Sequence, residues 1–199
     1  MTPLDSKRKH MDLGCGDAPR NPYKAEELFG VDLTLDPIKP KEYFKVCNLV
    51  CEPIPFVDSY FDSVSAFDVI EHIPRQSVDH QRKMIVNPFI NLMNEIHRIL
   101  KPGGLFYAST PAYPSPEAFQ DPTHVNIITE GTHKYFCGDN PDARVYGFTG
   151  QFVAIEAQRI YPKYAQTAQR TLINTIKNAH KKYFKRSISH VVWQLKAIK

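Results

Sequence analysis

The sequence predicts an α/β fold, a doubly wound sheet whose central strands run parallel. Three observations carry that reading. A short apolar run through Met11 and Leu13 passes straight into a glycine loop, Gly14-Cys15-Gly16. Sixteen residues after Gly16, a second apolar run, LFGVDL, reaches an acid, Asp32. Further along, apolar segments alternate with helical patterns, the arrangement of βαβ units joined by right-handed crossovers.

Taken in order, the first strand falls at about residues 9–13. The glycines after it let the backbone turn sharply and come close to a ligand with no Cβ in the way. Pro19 suits the first turn of a helix, so a short helix is expected at about 19–27. The second strand follows at about 28–33. An acid at its tip is placed to accept hydrogen bonds from ribose hydroxyls, near the separation of about 20 residues typical of a dinucleotide site. Asp17 and Ala18 stand where a pyrophosphate site prefers glycine, and the acid there favours a nucleoside that carries positive charge. By itself the glycine pair is equally consistent with a plain strand-to-helix turn.

Pro37 and Pro40 mark a loop, and Phe44 to Cys47 reads as the third strand. Asn48 just beyond it reads, alone, as a turn cap. The fourth strand is expected at about 62–69, with Val64, Ala66 and Phe67 buried. Asp68, Glu71 and His72 then sit at its carboxyl end, the edge where open α/β sheets bind ligands. A helix is expected from about 78 to 100, broken or kinked at Pro88. Its apolar stripe, Phe89, Leu92, Met93, Ile96, Ile99 and Leu100, belongs to the core. Lys101 to Gly104 stops the helix, and the fifth strand covers about 105–109. The proline-rich segment PAYPSPEAFQDPTH is too broken for a regular element and long enough to be a functional loop. A strand at about 148–160 and a final one at 190–199 flank an inserted helix at about 163–185. Leu172, Ile176, Ala179 and Tyr183 share one face of that helix.

Composition narrows the setting. A chain of 199 residues suits one domain with a substantial core. The formal charge of +4 permits an acidic partner without demanding one. The four cysteines form no close CxxC pair, so neither a zinc site nor a disulfide framework is expected. The first residues lack a signal-peptide stretch and no run is long enough to span a membrane, so a reducing cytoplasm is the expected location. The run Lys177 to Arg186 is basic with two aromatics. It reads first as a solvated helix face, with contact to an anionic membrane surface or to nucleic acid as the lesser alternatives.

The segments DLGCGD, VDL, CNL, FDSVSAFDVIEHI and LKPGGLFYASTP, in that order over about residues 10–111, resemble the motif series of class I S-adenosylmethionine-dependent methyltransferases. They are most similar to the broad group that includes quinone-biosynthesis and small-molecule enzymes. The resemblance implies a Rossmann-like, seven-stranded sheet, mostly parallel with the last strand antiparallel. It implies a single domain over 1–199, elaborated at about 111–147 and 163–185. It also implies S-adenosyl-L-methionine as cofactor and S-adenosyl-L-homocysteine as product. In its terms Gly14, Cys15 and Gly16 admit the methionine part and Asp12 helps to hold its amino group. Asp32, with Leu33 beside it, takes the ribose hydroxyls. Asn48 and Leu49 meet the adenine, and Phe67 with Asp68 lines the far wall. Family members commonly carry a helix or two before the first strand. Almost nothing precedes His10 here, which leaves open what covers the site.

Methyl transfer is an in-line displacement, so alignment and exclusion of water dominate. A base is needed only where the acceptor must lose a proton. His124, within DPTH after the fifth strand, is the favoured base, with Asp121 orienting it; His72 is the second candidate. The plain alternative is that Asp121 and Thr123 cap a short turn and His124 packs locally. Asp68, Glu71 and His72 resemble a carboxylate, carboxylate, histidine pattern of some quinone methyltransferases, in which a divalent metal assists. Asp68 is shorter than the usual glutamate, and capping is the preferred role, so no metal is expected. Tyr107, Tyr113, Phe119, Tyr135 and Phe136 are candidates to wall an acceptor pocket. The expected acceptor is a small molecule or a glycan- or lipid-linked intermediate, methylated on oxygen. FDVIEH stands where amino-methylating enzymes carry (N/D/S)PP(Y/F), which argues against a nucleic-acid or protein acceptor. A non-catalytic, cofactor-binding regulatory protein is the alternative from another class. Contact with a membrane through the basic helix, and a homodimer, are left open.

Overall fold

The computed structural model describes residues 7–169, 172–180 and 188–199. In chain order it holds strands β1 (Lys9–Leu13), β2 (Glu27–Asp32), β3 (Phe44–Val46), β4 (Phe61–Phe67), β5 (Ser77–Asp79) and β6 (Met84–Val86). Helix α1 (Pro88–Ile99), strand β7 (Leu100–Pro111), helix α2 (Glu117–Gln120), strand β8 (Phe152–Ile160), helix α3 (Leu172–His180) and strand β9 (His190–Ala197) follow. Seven strands form one sheet in the order β3-β2-β1-β4-β7-β9-β8. The pairs from β3 to β7 are parallel. β9 runs antiparallel to both of its neighbours, β7 and β8. This is the Rossmann-like sheet that the motif series implies.

The strand order reverses between β1 and β4. The chain grows outward from β1 through β2 to β3, then returns to lay β4 on the other side of β1. Such a switch point opens a crevice at the carboxyl ends of the two strands. β1 and β4 are buried along most of their length because both faces of a parallel strand are covered; Met11, Leu13, Val64 and Ala66 are wholly buried. The α1 stripe of Phe89, Leu92, Met93, Ile96 and Ile99 packs into the same core. β9 is also buried, through Val191, Val192, Trp193 and Leu195. Because it is antiparallel, its first residue, His190, arrives at the carboxyl edge of the sheet opposite Pro111.

Three expectations are corrected. No helix forms at 19–27; the crossover from β1 to β2 is a loop. Pro19 and Pro22 each withhold a backbone donor, and Asn21 closes its own turn by two 2.9 Å hydrogen bonds with the backbone of Ala25. The stretch 78–87 is a hairpin, β5 paired with β6, rather than the start of a long helix. Asp79 accepts hydrogen bonds from the amides of Gln81 and Arg82 and so ties the turn, while Pro88 opens α1 instead of kinking it. Over 163–169 a 3-10 turn and bends stand where the inserted helix is expected, and Ile176 and Ala179 of α3 face solvent. α3 is instead held by buried Asn178, which accepts from the Tyr161 amide at 2.9 Å and donates to the Arg159 carbonyl at 3.2 Å. Tyr183 and the basic residues 181–186 lie outside the described residues. Among the described residues no helix is long and apolar enough to cross a membrane.

Candidate functional site

The glycine loop lies at the switch point. The Gly14 and Cys15 amides both donate to the Val31 carbonyl, at 2.8 and 3.1 Å, which folds the loop back over β2. Gly14 sits at φ +64°, and a Cβ on it would stand 2.4 Å from Val69 Cγ2. Only glycine satisfies both conditions. Gly16, at φ +48°, faces open space where a side chain would project. Its amide donates to Asp32 Oδ2 at 2.8 Å, and its carbonyl accepts from the Lys39 ammonium, which also lies 5.1 Å from the centre of the Phe44 ring. Cys15 is buried against Gly30, and burial pushes its thiol up to about 11, as suits a filler.

Asp12 braces this loop from beneath. Its carboxylate accepts from Ser65 Oγ at 2.6 Å and from the Arg20 amide at 2.7 Å, and the residue is only 1% exposed. Burial pushes its carboxyl up to about 6. On the far side of Ser65, His10 lies between Ser63 and Ser65 at 2.7 and 2.9 Å, and burial lowers its imidazole to about 3. The Arg20 guanidinium donates to the Phe67 carbonyl at 3.1 Å and lies 4.9 Å from the Phe67 ring centre. Asn48 Oδ1 accepts from the Val50 amide at 3.1 Å, an Asx turn, while Leu49 packs on the core. Leu33 is exposed at the lip beside Asp32.

A second polar group lies at the end of β4. Asp68 takes a left-handed φ of +56°. Its Oδ1 lies 3.0 Å from His190 Nε2, whose other nitrogen is 2.8 Å from Ser189 Oγ. Glu71 is buried; Thr110 Oγ1 donates to its Oε2 at 2.8 Å, and burial pushes its carboxyl up to about 7. The late loop docks on this turn because the Val125 and Asn126 amides donate to the Glu71 carbonyl at 3.0 and 2.9 Å. That docking sets His124 edge-on to His72, with ring centres 4.8 Å apart. His72 Nδ1 faces the Thr123 hydroxyl at 3.0 Å, and Thr123 in turn donates to Asp121 Oδ1 at 2.7 Å, holding that carboxyl below its usual range. His124 Nε2 lies 3.8 Å from Asp121 Oδ2, too long for a hydrogen bond.

His124, Asp121 and His72, named from sequence, are thus neighbours, although the histidines are 52 residues apart. His190, Arg20, Lys39 and Thr110 were not anticipated. For His190 a signal existed: an antiparallel last strand begins at the ligand edge. Of the aromatic candidates, Tyr107 is wholly buried and donates its hydroxyl to the Ala165 carbonyl at 2.7 Å, so it walls nothing. Tyr113 and Phe119 form an exposed edge-on pair. Tyr135 and Phe136, with Phe89, line a cavity of about 550 Å³ beside Arg75. Arg75 Nε donates to Asn126 at 2.8 Å, which joins that cavity to the late loop.

Residues 11–108 match the family model described as a methyltransferase domain. This stretch belongs to the methyltransferase domain family. The matched stretch, 98 of the 199 residues, is a methyltransferase domain, which implies S-adenosyl-L-methionine as cofactor. No curated protein sequence matches it. Among solved structures it is similar to the Haloferax volcanii chain in complex with the Trm112 methyltransferase activator, at 18% identity and TM-score 0.57, over 99% of this chain and 85% of that one. It is also similar to Haemonchus contortus phosphoethanolamine N-methyltransferase 2 in complex with S-adenosyl-L-methionine, at 18% identity and TM-score 0.54, over 100% of this chain and 50% of that one. A third is geranyl diphosphate C-methyltransferase from Streptomyces coelicolor A3(2), in complex with Mg2+, geranyl diphosphate and S-adenosyl-L-homocysteine. That likeness is 14% in identity with a TM-score of 0.54, over 96% of this chain and 74% of that one. These likenesses establish the fold.

The switch-point corner fits that cofactor chemically. Gly16 opens onto free space, and Asp32 offers a carboxylate to hydroxyl donors. Asp17 and Asp68 are exposed carboxylates on loops at this edge, and Lys39 and Arg20 bring positive charge to the same loops.

Proposed function

We propose that this methyltransferase methylates oxygen on a small molecule or on a glycan- or lipid-linked intermediate. The observation that supports the reading is the group of His124, His72 and Asp121 on the loops beyond β4. Val69, packed against Gly14, joins that edge to the glycine loop. When bound, S-adenosyl-L-methionine supplies an electrophilic methyl group on a positively charged sulfur.

The chain's own residues then divide the work. Gly14, Cys15 and Gly16 admit the methionine part, and Asp12 sets the loop's shape and the local charge there. Asp32 accepts from the ribose hydroxyls with Leu33 at the lip, and Asn48 and Leu49 border the adenine. Phe67 and Asp68 form the far wall, with Arg20 fixing Phe67 by its carbonyl and its ring. His124 takes the proton of the acceptor hydroxyl, since imidazole is a base that works near neutral pH. Asp121 orients it, and His72 braces the ring edge-on. The aromatic cavity beside Arg75 receives the apolar part of the acceptor. The whole chain acts as one domain in this reading.

The test is calorimetric titration with S-adenosyl-L-methionine, followed by a methyl-release assay on fractionated small-molecule and lipid extracts. Cofactor binding with methyl transfer to a hydroxyl compound supports the proposal. Binding with no turnover on any fraction favours the regulatory alternative and overturns it.

A further inference from the structure

We propose that Glu71, His72 and His124 form a binding site for one divalent first-row transition ion, with zinc as the test ion. Each of the three side chains has one polar atom engaged or oriented by a neighbour and one left over. Glu71 Oε2 accepts from Thr110 Oγ1 at 2.8 Å, while Oε1 is buried with no partner among the described residues. His72 Nδ1 faces the Thr123 hydroxyl and carbonyl, at 3.0 and 3.3 Å, which leaves Nε2 as its ligand atom. His124 turns Nε2 toward Asp121 at 3.8 Å, while Nδ1 is buried and likewise unpartnered.

Two enclosed polar atoms without partners in one cluster call for an explanation, because burying such groups unmatched is unfavourable. A cation satisfies both together. One candidate ligand atom from each residue lies within 4.8 Å of the others. Ligands around a tetrahedral zinc stand about 3.3 Å apart, so modest side-chain rotation closes the set. His72 is only partly buried and has that freedom, while the His124 side chain, 9% exposed, turns less. Thr110 on Glu71, and Thr123 on His72 with its own hydroxyl donating to Asp121, supply outer contacts of the kind that ordinarily orient metal-ligating carboxylates and imidazoles. Two imidazoles with one carboxylate, and remaining positions for water or substrate, suit zinc, iron(II) or manganese better than magnesium. Among the described residues no other group of three such side chains comes within ligand reach. Asp68 takes no part, since its Oδ1 lies 3.0 Å from His190.

The site stands on its own geometry; only its consequence rests on the function proposed above. An ion held there would withdraw His124 Nδ1 from proton transfer and render a coordinated acceptor hydroxyl more acidic.

The experiment is equilibrium titration of the metal-stripped full chain with zinc against a chromophoric chelator, repeated with cobalt(II) and read by absorption. Wild type is expected to bind one equivalent, with ligand-field bands and no thiolate charge-transfer band. Glu71→Gln and His124→Ala should each weaken binding at least tenfold, whereas Cys51→Ser, at an exposed free cysteine, should not. Circular dichroism checks each variant's fold, and His72→Asn serves if Glu71→Gln does not fold. No stoichiometric uptake by the folded wild type, or uptake unchanged in His124→Ala, overturns the proposal. A parallel titration with S-adenosyl-L-methionine separates the two readings. Cofactor binding without zinc defeats only this inference, and zinc binding without cofactor defeats only the function.

Discussion

Gly14→Ala tests the contact that joins the two halves of the site. Alanine at φ +64° pays about 1–2 kcal/mol for the left-handed conformation. Its Cβ would also stand 2.4 Å from Val69 Cγ2, and Val69, being β-branched, has few other rotamers. Overpacking of that kind costs about 1–3 kcal/mol. The sum is a loss of about 2–5 kcal/mol, or a fall in melting temperature of roughly 4–20 °C for a chain of this size. Val69→Ala removes the methyl group that is struck. It destabilises the wild type but should cost less, or nothing, beside Gly14→Ala, a coupling of about 1–3 kcal/mol. Thermal and urea denaturation of the four proteins measures the cycle, and calorimetry on the folded variants reads weaker cofactor binding in Gly14→Ala. Strict additivity, or a Gly14→Ala protein that melts with the wild type, would refute the packing argument and with it the link between glycine loop and β4.

Asp32→Ala should weaken cofactor binding by about 1–3 kcal/mol, roughly 5- to 150-fold, through lost charge-assisted hydrogen bonds; undiminished affinity in a folded variant would remove the ribose assignment. His124→Ala should cut turnover by about 10²- to 10⁴-fold while leaving cofactor affinity alone, and a wild-type rate would exclude it from proton transfer. Asp12 carries a pH signature. Burial raises its folded pKa to about 6 from an ordinary 3.8, so the native state binds the extra proton between those values. Stability from this group is therefore greatest below about pH 4 and is lost as pH rises to about 6, by at most about 3 kcal/mol. Asp12→Asn should not show that decline. The difference between the two proteins in urea denaturation should grow from pH 4 to 6 and then level off, His10 contributing alike to both; a constant difference would sink the claim.

Much of the frame is written locally. The apolar runs ending at Leu13, Asp32 and Phe67 become strands because their neighbours in the chain alternate with turn residues. Gly14 and Gly16 mark the sharp turn through their own backbone freedom, which needs no knowledge of what surrounds them. Where local signals tie, the chain misleads. Val78 to Val86 holds β-branched residues at spacings that serve a helix or a hairpin, and the Asp79 turn chose the hairpin. The stretch 19–27 looked helical until Pro22 and the Asn21 turn removed the donors a helix needs.

By itself, then, the sequence determined the parallel sheet, the glycine turn and the acid that faces it, because those follow from propensities within a few residues. Only the tertiary structure decided that Asp12 would be spent on Ser65 and Arg20, that His190 would meet Asp68 across 122 residues, and that Glu71 would lie beside His72 and His124 with an oxygen left over. Those partners depend on strand order and loop docking, and burial strengthens each contact while making each missing one costly. Neither is encoded in the spacing of residues along the chain.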